Sequence, residues 1–169
     1  MSKSRTWFIE TDEGRIVKQA NEANSDLMRA FQEFVVFCQE QFKNANPYEC
    51  RFTGERRGFT LEAFNTTFLL RYKGPVAAKK LRDDKTVFIG MLYTFEGGQD
   101  DPPDILWSTI FDADGNLYQT LSDGMDLNPR PAEEASLSSG NILDELVVTT
   151  LSRHLDNIHK EAAQLLGDH

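Results

Sequence analysis

The sequence is poor in cysteine, with only Cys38 and Cys50 among its 169 residues. Two thiols do not form the disulfide framework of small secreted domains, and no apolar run of seven or more residues opens the chain as a secretory signal would. No apolar stretch approaches the roughly 20 residues that cross a bilayer. We therefore expect a cytoplasmic protein without a membrane segment, whose two thiols stay reduced and of which Cys38 is buried.

The short motifs that mark common catalytic sites are also absent. The sequence has no Gly-x-Ser-x-Gly, no Gly-x-Gly-x-x-Gly and no phosphate-loop pattern. Its three histidines are His154, His159 and His169. On a helix, His154 and His159 point about 140° apart, which favours surface histidines over a metal pair. We therefore predict no enzyme, no catalytic residue, no metal and no cofactor.

One acidic segment, residues 112–116, has the spacing of the start of a calcium-binding loop. Such a loop needs a bidentate glutamate at its twelfth position, which here is Asp123, and it needs flanking helices. The flanking residues have strand-like composition instead. The segment is therefore interpreted as a tight hairpin turn, with Asp112 accepting backbone hydrogen bonds and Gly115 in the left-handed conformation.

Basic residues are scarce in the second half of the chain. Residues 86–169 hold 3 basic and 15 acidic side chains, residues 43–85 hold 10 and 5, and residues 1–42 hold 5 and 7. The net charge of −9 thus combines a basic middle segment with a strongly acidic C-terminal half. Such asymmetry indicates charged partners rather than any particular fold.

Aromatic residues, by contrast, are plentiful: 12 Phe, 4 Tyr and 2 Trp. With 40% hydrophobic residues, the whole chain, residues 1–169, is expected to fold as one globular domain. Apolar spacings of three and four predict two long helices, one over residues 27–42 and one over residues 141–166. Asn21 or Ser25 is expected to cap the first, and residues 6–10 and 15–18 are expected to form a preceding hairpin.

Between the helices, turn residues separate six β-rich segments. Because no helical pattern falls between these segments, we expect antiparallel connections. Gly74 and Pro75 are expected to end the third strand, and residues 122–140 to form a long irregular loop. The predicted fold is α+β, an antiparallel sheet of about five to seven strands packed against two long helices. The strand candidates are residues 49–53, 59–64, 67–73, 86–95, 105–112 and 116–121.

The acidic loops of the second half suggest a docking face for a basic protein partner. Alternate turns of an antiparallel meander emerge at the same end, so several acidic loops can share one surface, where charge steers association and apolar residues anchor the partner. We therefore predict a non-catalytic binding domain that inhibits, neutralises or supports a partner, as immunity proteins and phage-encoded anti-defence inhibitors do. The candidate partner-binding residues are Glu96, Asp100, Asp101, Asp104, Trp107, Asp123, Met125, Asp126, Glu133 and Glu134.

Three alternatives remain open. A pocket between the sheet and the C-terminal helix, lined by Phe and Trp, would bind a small ligand or substrate. The basic middle segment, with Phe52, Phe59, Phe68 and Tyr72 interleaved, would bind single-stranded nucleic acid, although the overall charge opposes it. The wide apolar face of the first helix, which includes residues 36–37, permits a homodimer. The basic residues of the middle segment, on which the nucleic-acid alternative depends, are Arg51, Arg56, Arg57, Arg71, Lys73, Lys79, Lys80, Arg82 and Lys85.

Overall fold

A computed structural model describes residues 12–55, 58–80, 86–99, 103–120, 126–130 and 136–167. The fold is α+β, as predicted: an N-terminal helix, a seven-stranded sheet and a C-terminal helix packed on the sheet. The elements are α1 (Asp12–Asn44), β1 (Arg51–Glu55), β2 (Gly58–Ala63), β3 (Thr66–Lys80), β4 (Thr86–Glu96), β5 (Ile105–Phe111), β6 (Leu117–Thr120), β7 (Asp126–Pro129) and α2 (Gly140–Gly167).

The strands follow one another in the sheet in chain order, and consecutive strands are antiparallel. In addition, β7 pairs in parallel with the end of β3, where Lys79 lies opposite Asp126. The part of the sheet from β3 to β7 therefore closes on itself. A small second cluster of buried residues, Ala78, Ile89, Tyr118 and Leu127, packs in this part of the sheet.

Both helices lie on the same face of the sheet. On β3, the Tyr72 hydroxyl donates a hydrogen bond of 2.9 Å to Asn24 of α1. Phe68, which lies on the same side of β3 because side chains alternate along a strand, contacts His154 of α2 with a ring-centroid distance of 4.9 Å. The main core fills the layer between sheet and helices, and its largest fully buried side chains include Phe31, Phe34, Phe59, Phe68, Phe111 and Leu146.

The prediction for the N-terminal region was wrong where the structure describes it. Residues 15–18, expected as a strand, are part of α1, which begins at Asp12 rather than after a cap at Asn21 or Ser25. Asp12 and Glu13 stand in the first turn, where negative charge favours the helix dipole. Once nucleated, a helix propagates at low cost, and this outweighs the β-propensity of two adjacent β-branched residues. Residues 6–10 lie outside the described residues.

Two predicted interruptions of the sheet were also wrong. β3 does not end at Gly74 and Pro75 but continues to Lys80, with a cis bond between these two residues and a register shift between Lys73 and Val76. Proline has no backbone N–H to donate, and at such a register shift no regular hydrogen bond between the strands is lost. The predicted loop over residues 122–140 contains β7. The other strands and α2 match the predictions with small shifts of their ends.

The β5–β6 connection is the tight turn that was predicted for residues 112–116. One carboxylate oxygen of Asp112 accepts hydrogen bonds from the backbone N–H groups of Asp114 and Asn116, both at 3.0 Å. The other oxygen accepts one of 2.6 Å from the Tyr118 hydroxyl. Gly115 has a φ of 80°. These carboxylate oxygens therefore accept hydrogen bonds within the turn, as the hairpin interpretation predicted and unlike the ligands of a calcium-binding loop.

Candidate functional site

The C-terminal helix α2 has 28 residues, and the burial of its apolar side chains differs between its two halves. Its first half is held in the core through side chains such as Ile142, Leu146 and Leu151. Beyond His154, the apolar side chains of the same stripe are exposed, with Leu155 at 48%, Ile158 at 44% and Leu165 at 75% relative accessibility. We call residues 155–167 the exposed helix end. The stripe predicted from spacing is real, but the sheet covers only the part that precedes residue 155.

The exposed helix end leaves the sheet next to the β4–β5 connection. Asp104 and Ile105, at the start of β5, line an open groove with Asp156 and Lys160 of α2. Ile105 is 46% exposed, and Asp104 and Asp156 are both exposed. Asp156 follows Leu155 by about 100° around the helix, so acidic and apolar sides of the exposed helix end adjoin each other. The groove also contains Arg153 and Lys160, but together with Glu161 the exposed acidic side chains at this end of the molecule outnumber the basic ones, and uncovered apolar side chains lie beside them.

His154 marks the point at which α2 leaves the core, and its prediction as a surface residue was wrong. The side chain is buried, its Nδ1 lies 3.5 Å from a carboxylate oxygen of Glu96, and its ring stands edge-on to Phe68. Its Nε2 has no hydrogen-bond partner among the described residues. His159 is exposed, as predicted. The spacing of three from Leu151 was a sequence signal that could have placed His154 on the buried face.

Glu96, a predicted partner-binding residue, is therefore half-buried and engaged with α2 rather than fully available on the surface. It stands at the end of β4, and its contact with His154 joins this strand to the helix. A second buried contact supports the same junction, because the hydroxyls of Thr94 and Thr150 lie 2.8 Å apart. The base of the exposed helix end is thus fixed to the sheet by side-chain contacts.

Trp107, which was expected to anchor a partner, lies in the core with 3% of its surface exposed. The alternation along β5 turns it toward α2, where its indole Nε1 donates a hydrogen bond of 2.9 Å to Glu145. The same carboxylate is paired at 3.1 Å with Arg130, whose other terminal nitrogen donates to Thr109 at 3.0 Å. Trp107 is therefore not an exposed anchor; this network holds α2 on β5.

Among the described residues of the C-terminal half, exposed acidic side chains outnumber exposed basic ones. Of its three basic residues, Arg130 is paired with Glu145, and Arg153 donates a hydrogen bond of 2.6 Å to the Leu106 carbonyl. Lys160 is exposed. Described acidic side chains classed as exposed in this half are Asp104, Asp114, Asp144, Asp156 and Glu161.

The topology divides the predicted acidic loops between the two ends of the sheet. Because consecutive strands are antiparallel, the end of β4 and the start of β5 lie at the same end of the sheet as the end of β6 and the start of β7. The β5–β6 turn, with Asp112 and Asp114, lies at the other. The backbone of Asp126 is described and pairs with β3. The other predicted partner-binding residues lie outside the described residues; they are Asp100, Asp101, Asp123, Met125, Glu133 and Glu134.

Three of the four aromatic residues interleaved in the basic middle segment lie beneath the helices. Phe59 and Phe68 are buried, and Tyr72 is hydrogen-bonded to Asn24 and stacked on Phe31 with a centroid distance of 5.6 Å. Base stacking requires an exposed ring face. These three rings are therefore not placed for base stacking, whereas Phe52 is half-buried, lines an open groove and stacks on Phe42 with a centroid distance of 4.8 Å.

The described clefts are open rather than enclosed. Between the sheet and α2, buried side chains such as Leu92, Leu106 and Leu146 fill the space. The groove between α1 and the β5–β6 turn has a volume of about 320 Å³, and Arg29, Glu33 and Asp114 contribute to its lining. This arrangement does not favour the pocket of Phe and Trp side chains that the sequence left open.

Both cysteines are free and buried. Burial raises the pKa of the Cys38 thiol far above its ordinary value and also raises the pKa of Cys50. Nucleophilic use of either thiol requires a thiolate, which burial disfavours. Within the described ranges, no three His, Cys, Asp or Glu side chains are grouped to hold a metal ion. No described helix is long and apolar enough to cross a membrane.

Comparison with protein-family models, with curated proteins and with solved structures found no match for this chain.

Proposed function

We propose that this protein is a non-catalytic binding domain that docks a basic protein partner at the exposed helix end and the adjoining β4–β5 connection. The observation that carries the proposal is the uncovered apolar stripe of residues 155–167, which continues the buried stripe of α2. Exposed apolar patches with a polar rim are typical of protein-interaction sites. The exposed acidic residues Asp104, Asp156 and Glu161 outnumber Arg153 and Lys160 there and give the surface its charge preference.

The apolar and the acidic residues of this surface are expected to contribute differently to binding. Apolar side chains such as Leu155 and Ile158 would supply most of the binding free energy, because burial of apolar surface is the main favourable term in most protein–protein association. The acidic rim would raise the association rate and select a positively charged partner. A domain of this kind inhibits, neutralises or supports its partner by covering a basic surface, in the manner of an immunity protein or an anti-defence inhibitor.

The experiment is quantitative affinity capture from the native cell with three forms of the protein. The test variant carries Leu155→Ser and Ile158→Ser. The control carries Ile16→Ser and Val17→Ser, which alter apolar residues of similar exposure, 55% and 54%, on the other helix. We expect a basic protein that wild type and control retain and the test variant loses at least about tenfold, as for removal of a hot spot. Equal retention by all three forms would contradict the proposed surface.

A further inference from the structure

Strand β1 is the open edge of the sheet. Among the described strands, it is the one that pairs on a single side, with β2, because β7 at the other end of the order also pairs with β3. An open edge offers unpaired backbone N–H and C=O groups to another strand. β1 contains neither proline nor lysine, two residues that commonly protect such edges.

The register identifies which backbone groups of β2 face β1. The β2–β3 connection is a two-residue turn with positive φ at Phe64 and Asn65, so the flanking pair Ala63 and Thr66 exchanges hydrogen bonds. Alternation along an antiparallel ladder then directs the backbone groups of every second residue of β2 toward β3. The backbone groups of the alternate residues of β2, which include Thr60, form hydrogen bonds to β1.

The same alternation identifies the free groups of β1. Thr53 lies opposite Thr60 and is therefore bonded to β2, as are Arg51 and Glu55, two positions away on either side. The N–H and C=O groups of Phe52 and Gly54 consequently point outward from the sheet. The edge thus presents two residues, two positions apart, that are able to bond to a further strand.

We propose that β1 pairs with β1 of a second copy of this chain, antiparallel and with Thr53 on the two-fold axis. This register places Phe52 of each copy opposite Gly54 of the other, which uses the outward-facing backbone groups of both. It also places Arg51 of each copy opposite Glu55 of the other. Opposite charges in cross-strand positions stabilise a pair, and like charges there destabilise it. The sequence Arg-Phe-Thr-Gly-Glu is therefore self-complementary in this one register.

The local charge permits this contact in a protein of net charge −9. The sequence from residue 51 to residue 63, which includes β1 and β2, holds three basic and two acidic side chains, so the edge does not share the acid excess of the C-terminal half. Next to it, Phe42, Lys43 and Phe52 line an open groove between α1 and β1. Since α1 lies beside β1, a two-fold axis through Thr53 brings the same groove of the second copy toward it. The two sheets would continue into one another, with the two α1 helices adjacent.

Sedimentation velocity from about 5 to 500 µM tests the dimer, a range that brackets the affinity expected of a small interface. The disrupting variant is Thr53→Lys, which places two ammonium groups on the axis. Its matched control is Thr67→Lys, the same change at an exposed site of the internal strand β3. We expect wild type and control to dimerise and Thr53→Lys to bind at least about tenfold more weakly. A wild type that stays monomeric throughout, or a dimer unaffected by Thr53→Lys, overturns the proposal.

Charge exchange tests the register itself. Arg51→Glu and Glu55→Arg are each expected to weaken the homodimer at least about tenfold, because like charges then face one another at two sites. An equimolar mixture of these two variants restores opposite charges at both sites and should form a heterodimer of near wild-type affinity. A mixture no tighter than either variant alone would rule out this register. These measurements use the purified chain alone, so their outcome does not depend on the proposed partner surface.

Discussion

Replacement of Leu146 by alanine is expected to lower the free energy of unfolding by about 2–5 kcal/mol. Leu146 is fully buried in the first half of α2, where it belongs to the core shared by the sheet and both helices. The close packing around it leaves a cavity when three carbon atoms are removed, and the lost contacts add to the lost transfer free energy. Urea unfolding followed by circular dichroism measures the change, and an unaltered slope shows that the unfolded state is unaffected.

The control is Leu155→Ala, nine residues along the same helix. Leu155 is 48% exposed, so the same chemical change should alter the free energy of unfolding by no more than about 0.5 kcal/mol. Equal losses for the two variants would show that the exposed helix end is packed in solution, and the proposed docking surface would then not exist.

Loss of the Glu145 carboxylate should be nearly as costly as loss of a core leucine. Glu145→Ala leaves the Arg130 guanidinium, whose side chain is only 13% exposed, without its counter-charge, and it leaves the indole N–H of Trp107 without its acceptor. A buried cation that loses its partner and an unpaired buried donor together are expected to cost about 2–4 kcal/mol. Urea unfolding monitored by tryptophan fluorescence measures this loss.

Removal of the cation should lower the free energy of unfolding less than removal of the carboxylate. Arg130→Met removes the cation but leaves Glu145, which is 38% exposed, solvated and still accepting from Trp107, so a loss of about 1 kcal/mol is expected. The double variant should therefore be less destabilised than the sum of the two single variants. If Arg130→Met costs as much as Glu145→Ala, the unpaired guanidinium is not the source of the effect.

The sequence predicted the fold class because its strongest signals are local. The spacing of apolar residues located α2 closely, and the turn residues separated six of the seven strands. The failures came where two local preferences competed. Residues 15–18 favour a strand in isolation but belong to a helix that propagates from Asp12, and Pro75 interrupts a ladder without ending the strand.

The candidate site was harder to predict from the sequence than the fold class. The acidic residues were evident, but helical spacing is the same for a stripe that meets a sheet and for one that extends beyond it. The exposure of Leu155 and Ile158 could therefore not be predicted from the apolar spacing. Trp107 looked like an available anchor because its acceptor, Glu145, is 38 positions away in the chain. Only the three-dimensional arrangement shows which half of α2 is covered.

Docking of a basic partner at the acidic and apolar end of the molecule is tested most directly by the association rate constant. Stopped-flow kinetics with the captured partner would compare wild type with a variant carrying Asp104→Lys and Asp156→Lys, both at exposed positions. At low salt we predict association at least about tenfold slower for the variant, and convergence of the two rates as salt screens the charges. Equal rates at low salt would contradict docking at this end.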